Sequence, residues 1–208
     1  MRRFILSTII IIVAFYIPIS ILIAQGQSDE NKIITELIRA QTLQEFDQAT
    51  MKIQENRAEI ISSLIRTLRK ETDKEKKIRI CYLLGEYRAA EAIFDLAKNI
   101  TLEAKLSETG DEPPRWFKYP AQDALVKCGT HSIPYMTRNI ESSDDELTQK
   151  LSVQVIWQVI GEGLPRVLEG KEYAGMIIEK RIDEETDSVK KARLKSSLKY
   201  LGRTEGVK

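Results

Sequence analysis

The sequence predicts an all-α protein built as an α-solenoid, a stack of antiparallel helix pairs, and three observations support this prediction. The 208 residues are rich in Lys, Glu, Leu and Ile but include only 10 Gly and 6 Pro, which favours helices over a β-sandwich. After about residue 28, apolar residues recur three and four positions apart. Similar segments recur at offsets of 31 to 32 and 40 to 42 residues, as expected for a repeated pair of short helices.

The chain begins with a short basic start and a long apolar run, which is the layout of a secretory signal peptide. Arg2 and Arg3 are the only charged side chains among the first 24 residues, of which 18 are hydrophobic. Small residues close to Gly26 offer a cleavage site, so we expect residues 1–26 to be removed. The run 4–24 is also long enough to cross a bilayer, and retention as a membrane anchor is the alternative. In both cases the body is exported, to the periplasm or out of the cell.

Beyond residue 26 the chain is predicted to form a cap and a repeat region. Residues 27–55 form an N-terminal capping helix region, which needs an apolar face on one side only because it ends the stack. The repeats are expected over 56–208, with a loop insertion near 103–119. Loops of this length in compact repeats are uncommon, and they often carry function.

Three capping boxes mark predicted helix starts. In each, a small polar residue is followed three positions later by Glu, and the two side chains satisfy free backbone N–H groups. The boxes begin at Asn56, Thr72 and Ser143. Starts that are so closely spaced predict many short helices.

The repeat is clearest where residues 79–87 are RICYLLGEY and residues 92–96 are AIFDL. The second of these segments recurs 32 residues earlier around Ile61 and 40 residues later around Ile133. Around Leu198 we expect the first helix of a terminal repeat, which has no second helix after it. One helix pair has two apolar faces and cannot cover both, so successive pairs must stack.

These residues resemble HEAT repeats of the short, bilin-lyase type, whose usual form is Arg, then Ala-Leu-Gly, then Ala-Ile/Val-Pro-x-Leu. Pro134 and Pro165 fall at the proline of that motif, in the first turn of the second helix. The resemblance covers about 55–203, whereas Val126 and Trp157 depart from the motif. It implies a HEAT-like superhelix of antiparallel helix pairs.

The sequence contains few residues that are candidates for catalysis or for binding a metal or cofactor. It contains no Gly-rich phosphate loop, no G-x-S-x-G motif and no set of metal ligands at suitable spacing. His131, the only histidine, falls in a predicted turn between helices. Cys81 and Cys128 are expected to be buried thiols, although export would permit a disulfide. We therefore predict no catalytic residue, no cofactor and no metal.

The predicted contact surface lies on the second helices, which usually line the concave side of HEAT-like stacks. Its mixed charges favour a protein partner, and 32 basic against 31 acidic side chains argue against nucleic acid. Aromatic residues of the 103–119 loop would anchor a partner if exposed, or cover the core if they fold back. The candidate partner-binding residues are Asp95, Lys98, Asn99, Trp116, Phe117, Tyr135, Arg138, Asn139 and Arg166.

Together these features predict an exported, non-enzymatic helical-repeat scaffold or adaptor that mediates protein–protein interaction. Its partner would be another protein, and it would contact a membrane only through residues 4–24 if they are not cleaved. Two alternatives stay open. One is a bilin-lyase-like, tetrapyrrole-handling protein, and the other is a membrane-anchored accessory subunit of an envelope complex.

Overall fold

A computed structural model of the chain describes Lys32, Thr35 and residues 57–104, 118–161 and 167–202. Within these residues the protein is all-helical, with eight α-helices, three short 3-10 turns and no strand. The all-α class predicted from the sequence is therefore confirmed. The chain divides into two compact units, Met1–Ser63 and Leu64–Lys208.

The described helices follow one another with short connections. In chain order they are α1 (Arg57–Lys70), α2 (Lys74–Glu86), α3 (Ile93–Lys98), α4 (Pro120–Lys127), α5 (Ile133–Ser142), α6 (Glu146–Gly161), α7 (Val167–Glu184) and α8 (Ser188–Ser197). The 3-10 turns Ala90–Ala92 and Gly129–Ser132 lead into α3 and α5, and Leu198–Leu201 follows α8.

Aspartates cap three of the helices. Asp73 caps α2, Asp145 caps α6 and Asp187 caps α8, and each carboxylate accepts a hydrogen bond from the backbone N–H three positions on, at 2.8 to 3.1 Å. The predicted starts at Thr72 and Ser143 therefore lie one and two residues too early. Aspartate is among the residues that cap helices best, because its carboxylate satisfies amide groups that have no partner within the helix.

Prolines begin two helices, and the start at Pro134 is the one predicted above. Pro120 and Pro134 occupy the first turns of α4 and α5. Proline is suited to these positions because the first amides of a helix have no partner within it, and its fixed φ is already helical. The predicted turn around His131 is the 3-10 turn Gly129–Ser132, where the imidazole is exposed.

In the unit Leu64–Lys208, helices α2 and α4 pack closely against each other. A Cβ added at Gly85 would lie 2.8 Å from both Cα and Cβ of Ala124, so the approach requires glycine. Cys81 and Cys128 are buried, free thiols, as predicted. Burial raises the pKa of the Cys81 thiol to about 12 and that of Cys128 to about 11. The buried part of this contact is apolar, and at its more exposed edge Lys127 of α4 donates to the carboxylate of Glu86 of α2 at 2.7 Å.

The other helices of this unit pack on one another in sequence. α4 also packs against α6, α3 contacts α4 and α5, and α6 contacts both α5 and α7. Their apolar stripes supply fully buried side chains, among them Leu84, Leu125, Met136 and Ile156. The final helix α8 packs mainly on α5 and α7. Around Leu198, where we expected the first helix of a terminal repeat, α8 ends and the 3-10 turn Leu198–Leu201 follows it.

Several predictions concern residues outside the described part of the chain. They are the export segment 1–26, most of the cap 27–55, the box at Asn56, Pro165, and residues 105–117 of the insertion. The two ends of the insertion are described, and they meet, because the Ala104 amide donates to the Lys118 carbonyl oxygen at 2.9 Å. Within the described residues, every helix is too short or too polar to span a lipid bilayer.

Candidate functional site

On α3, two of the predicted contact residues have structural partners. The Asp95 side chain is 6% exposed, and its two oxygens accept hydrogen bonds from Arg69 at 2.8 and 2.9 Å. The Asn99 amide, just after the helix, donates to the Asp95 carbonyl oxygen at 2.8 Å. Lys98 is exposed and lies 4.2 Å from the centroid of the Phe94 ring. Of the three residues, Lys98 therefore presents the most side chain to a partner.

The predicted residues of α5 point in different directions. Asn139 is half-buried, and its side-chain amide donates to the Ala97 carbonyl oxygen at 3.1 Å, which ties α5 to α3. Arg138 is exposed and faces α7, whereas Tyr135 is half-buried. Among the predicted residues that the structure describes, Lys98 and Arg138 are therefore the exposed ones. Trp116, Phe117 and Arg166 lie outside the described residues.

A groove of about 380 Å³ opens between α5 and α7. Its walls are Ile133, Pro134, Thr137, Arg138 and Glu141 from α5, and Ile177, Lys180, Arg181 and Glu184 from α7. Three residues join α5 to α6 and five join α6 to α7, and each pair packs together, so both pairs are antiparallel. It follows that α5 and α7 run in the same direction along the groove.

One end of the groove is closed by paired charges. Arg181 donates from Nε to Glu141 and from Nη2 to Glu185, the second at 2.8 Å. The two glutamate side chains are only 10% and 8% exposed. The backbone N–H of Asp187 lowers the pKa of the Glu185 carboxyl, and the hydrogen bond to Glu141 raises the pKa of Arg181. The single positive charge of Arg181 is thus shared between two carboxylates.

Helix α8 supports the same end of the groove. Arg193 donates from Nη1 to the Glu141 carbonyl oxygen at 3.0 Å and from Nε to Asp144 at 2.8 Å. Carbonyl groups in the last turn of a helix have no partner within it, so a guanidinium there satisfies one of them. The last turn of α5 is therefore held by α7 and α8 together.

The other end of the groove is apolar. Ile133 and Pro134 lie in the first turn of α5, and Ile177 lies one turn before Arg181 on α7. Tyr173, one turn before Ile177, is 51% exposed, and Met176, directly before Ile177 in the chain and one turn before Lys180, is 58% exposed. Exposed large apolar side chains beside a groove are typical of interaction sites.

Arg138 stands between the two ends of the groove. It has no ion-pair partner among the described residues. Its neighbour across the groove, Lys180, lies 3.9 Å from the carboxylate of Glu184, and both of these side chains are exposed. Arg138 is thus a cation on the rim that no carboxylate of the described residues contacts directly.

Sequence reasoning selected Arg138 but missed the α7 side of the groove. The signal was present in the apolar pattern of α7, which is wider than one buried stripe. The buried positions are Ala174, Ile178 and Ile182. Tyr173, Met176 and Ile177 are additional, and apolar residues beyond those that a buried face requires are candidates for a contact surface.

The described residues do not include a group of three or more His, Cys, Asp and Glu side chains placed to hold a metal ion. Comparison of the chain with protein families, with curated proteins and with solved structures finds no match.

Proposed function

We propose that the protein is a non-enzymatic helical-repeat scaffold that binds another protein in the groove between α5 and α7. The observation that carries the proposal is the exposure of Tyr173 and Met176 beside Ile177. Full burial of an apolar side chain of this size contributes roughly 1.5–3 kcal/mol, so a partner that covers this surface gains substantial free energy. The folded chain leaves these side chains in contact with water.

We further propose a HEAT-like α-solenoid arrangement for the unit Leu64–Lys208. Its support is that α4 packs on both α2 and α6, while α3 contacts α5, so that corresponding helices of successive pairs are neighbours. In this arrangement α3, α5 and α7 are second helices, and the groove lies on the surface that they share. The last helix, α8, departs from a regular stack because it packs mainly on α5 and α7.

Export is part of the proposal, and it is supported by the basic start and apolar run of residues 1–26. The partner is then a protein of the envelope or of the extracellular space. Intact mass spectrometry of the protein from its own cells measures the processing. A mass that starts near Gln27 indicates a cleaved signal peptide, and the full mass indicates an anchor.

The binding proposal is tested by photo-crosslinking in intact cells. A photoreactive amino acid placed at Met176 is expected to form one defined protein adduct. Val189 provides a matched control, because it is 56% exposed on α8 and lies outside the groove. Adducts that are absent at Met176, or equal at both positions, would contradict the proposal.

A second substitution makes this experiment specific for the groove surface. Tyr173→Glu places a charge on the apolar end and is expected to remove the Met176 adduct, whereas Val189→Glu leaves it. Both side chains are about half exposed, so we expect stability changes within about 0.5 kcal/mol. Thermal unfolding of both variants checks that the loss of the adduct is not a loss of folding.

A further inference from the structure

The charges around the groove are unevenly matched. Arg181 is shared by two carboxylates, and Lys180 has Glu184 nearby. Arg138 is left without a carboxylate among the described residues, and it lies one helical turn after Pro134 on the same face of α5. A carboxylate that approached this guanidinium would gain a charge-assisted hydrogen bond beside an apolar surface.

The shape of the groove favours a helix as its occupant. α5 and α7 run in the same direction on its two sides, and side-chain ridges of a third helix fit between two packed helices. Helices that dock in grooves present apolar anchors three and four residues apart. Pro134 and Arg138 are four residues apart, which is about 6 Å along the axis of α5. A docked helix has the same rise, so its acidic residue lies three or four positions from its anchors.

We infer that the groove binds an amphipathic helix of the partner protein, with apolar anchors and one Asp or Glu three or four positions away. The anchors cover Tyr173, Met176 and Ile177, and the acid pairs with Arg138. A basic residue at that position would be repelled by Arg138 and Lys180. This inference deepens the proposed function and depends on it.

The test uses a phage-displayed library of helical 16-residue peptides, with varied residues along one face, and the full-length chain in detergent micelles. Enriched peptides are expected to carry two or three apolar residues and an acid three or four positions from them. Fluorescence anisotropy then measures the affinity of an enriched peptide for the variants. Arg138→Glu is expected to weaken binding about tenfold, and replacing the acid of the peptide by Lys is expected to restore it.

Two variants separate the apolar contact from the charge contact. Met176→Glu is expected to weaken every enriched peptide, whatever its charge. Lys190→Glu makes the same change in net charge as Arg138→Glu, but it lies on α8 outside the groove and is expected to leave affinity unchanged. Equal losses for Arg138→Glu and Lys190→Glu would mean that only the overall charge matters, which overturns the inference.

The outcomes also distinguish this inference from the proposed function. Peptides that lose affinity with Met176→Glu but not with Arg138→Glu overturn the acidic-helix inference and leave the groove as a binding site. Peptides that are insensitive to both substitutions bind elsewhere and count against both proposals. If no peptide is enriched, the inference fails, while photo-crosslinking at Met176 still decides the proposed function.

Discussion

The contact between α2 and α4 and the groove between α5 and α7 join helices in opposite ways. At the first, Gly85 and Ala124 allow the backbones to approach so closely that one added carbon would clash. At the second, long charged side chains face one another at one end, apolar side chains line the other end, and an opening of about 380 Å³ remains. The size and charge of the facing side chains thus decide whether two helices close a core or leave a surface for binding.

The largest expected effect comes from breaking the charged end of the groove. Arg181→Met removes the cation between two carboxylates that are only 10% and 8% exposed. Because the arginine itself is 35% exposed and water partly screens the pairing, we expect the free energy of unfolding to fall by about 2 to 3 kcal/mol. Urea unfolding followed by circular dichroism measures this loss. Lys180→Met is the matched control on the same helix, where the side chain is 79% exposed and should matter by less than about 0.5 kcal/mol. Equal effects of the two variants would show that the pairing does not hold this end together.

The next largest effect is expected at the α2–α4 contact. Gly85→Ala places a methyl group against the Ala124 backbone and should cost about 2 kcal/mol, because neither helix can move without losing its packing. The rate of thiol labelling at Cys81 and Cys128 should rise as the contact loosens.

Gly161→Ala is the matched control for this experiment, because a Cβ at Gly161 meets open space. It is expected to be neutral or to stabilise by up to about 1 kcal/mol, through the higher helix propensity of alanine. A Gly85→Ala protein as stable as the wild type, with thiols equally protected, would mean that the close approach of the two helices is dispensable.

Lowering the pH should destabilise the charged end of the groove before the α2–α4 contact, without any substitution. Hydrogen bonds lower the pKa values of Glu185 and Asp187, so the stability that these carboxylates supply is present above the unfolded value of 4.5 for glutamate and 3.8 for aspartate. That stability is lost as the pH falls through these values toward the lowered folded pKa values.

Hydrogen exchange at pH 7 and pH 4, corrected for intrinsic rates, measures this difference. Protection should fall first around the α7–α8 junction. The core of the α2–α4 contact is apolar, and the buried thiols, with pKa values of about 12 and 11, stay protonated between pH 4 and pH 7. Loss of protection at α2–α4 before α7–α8 would contradict the assignment of the charged network as the acid-sensitive element.

The smallest effect on stability is expected from the backbone directly after α2. Arg88 follows α2 with a φ of 45°, a left-handed conformation in which a side chain is unfavourable, whereas Gly129 follows α4 with a φ of 68°. Arg88→Gly should therefore stabilise the protein by about 0.5 to 1 kcal/mol, measured by urea unfolding. Ala90→Gly, in the 3-10 turn just after it, should instead destabilise slightly. A destabilised Arg88→Gly protein would show that contacts of the arginine outweigh its backbone strain.

Local sequence signals predicted most of the described helices, and the prolines marked helix starts more accurately than the capping boxes did. The prolines at positions 120 and 134 mark helix starts because their effect depends only on the backbone of one turn. The capping boxes were placed one and two residues early because several neighbouring polar side chains can accept hydrogen bonds from the same amides. In the structure, the carboxylates of Asp73 and Asp145 accept them. Such competition depends on side-chain geometry that spacing alone does not contain.

The candidate site was predicted in part, and the missing part has a physical reason. Repeat alignment placed Arg138 on an exposed position of a second helix, where it lines the groove. It also selected Asp95 and Asn139, whose hydrogen bonds to Arg69 and to the Ala97 carbonyl hold helices together. A polar residue next to a core can face a partner or another helix, and periodicity alone does not distinguish these two roles.

By itself, the sequence determined that the protein is helical, with apolar residues three and four positions apart, and that the thiols are buried. These properties follow from the 3.6-residue period and from side-chain polarity, both of which act over a few turns. Only the tertiary structure decided that Glu141 and Arg181, 40 residues apart, form an ion pair, and that an apolar groove opens beside it. Contacts between distant helices depend on how closely their backbones approach, which the side chains of both helices set together.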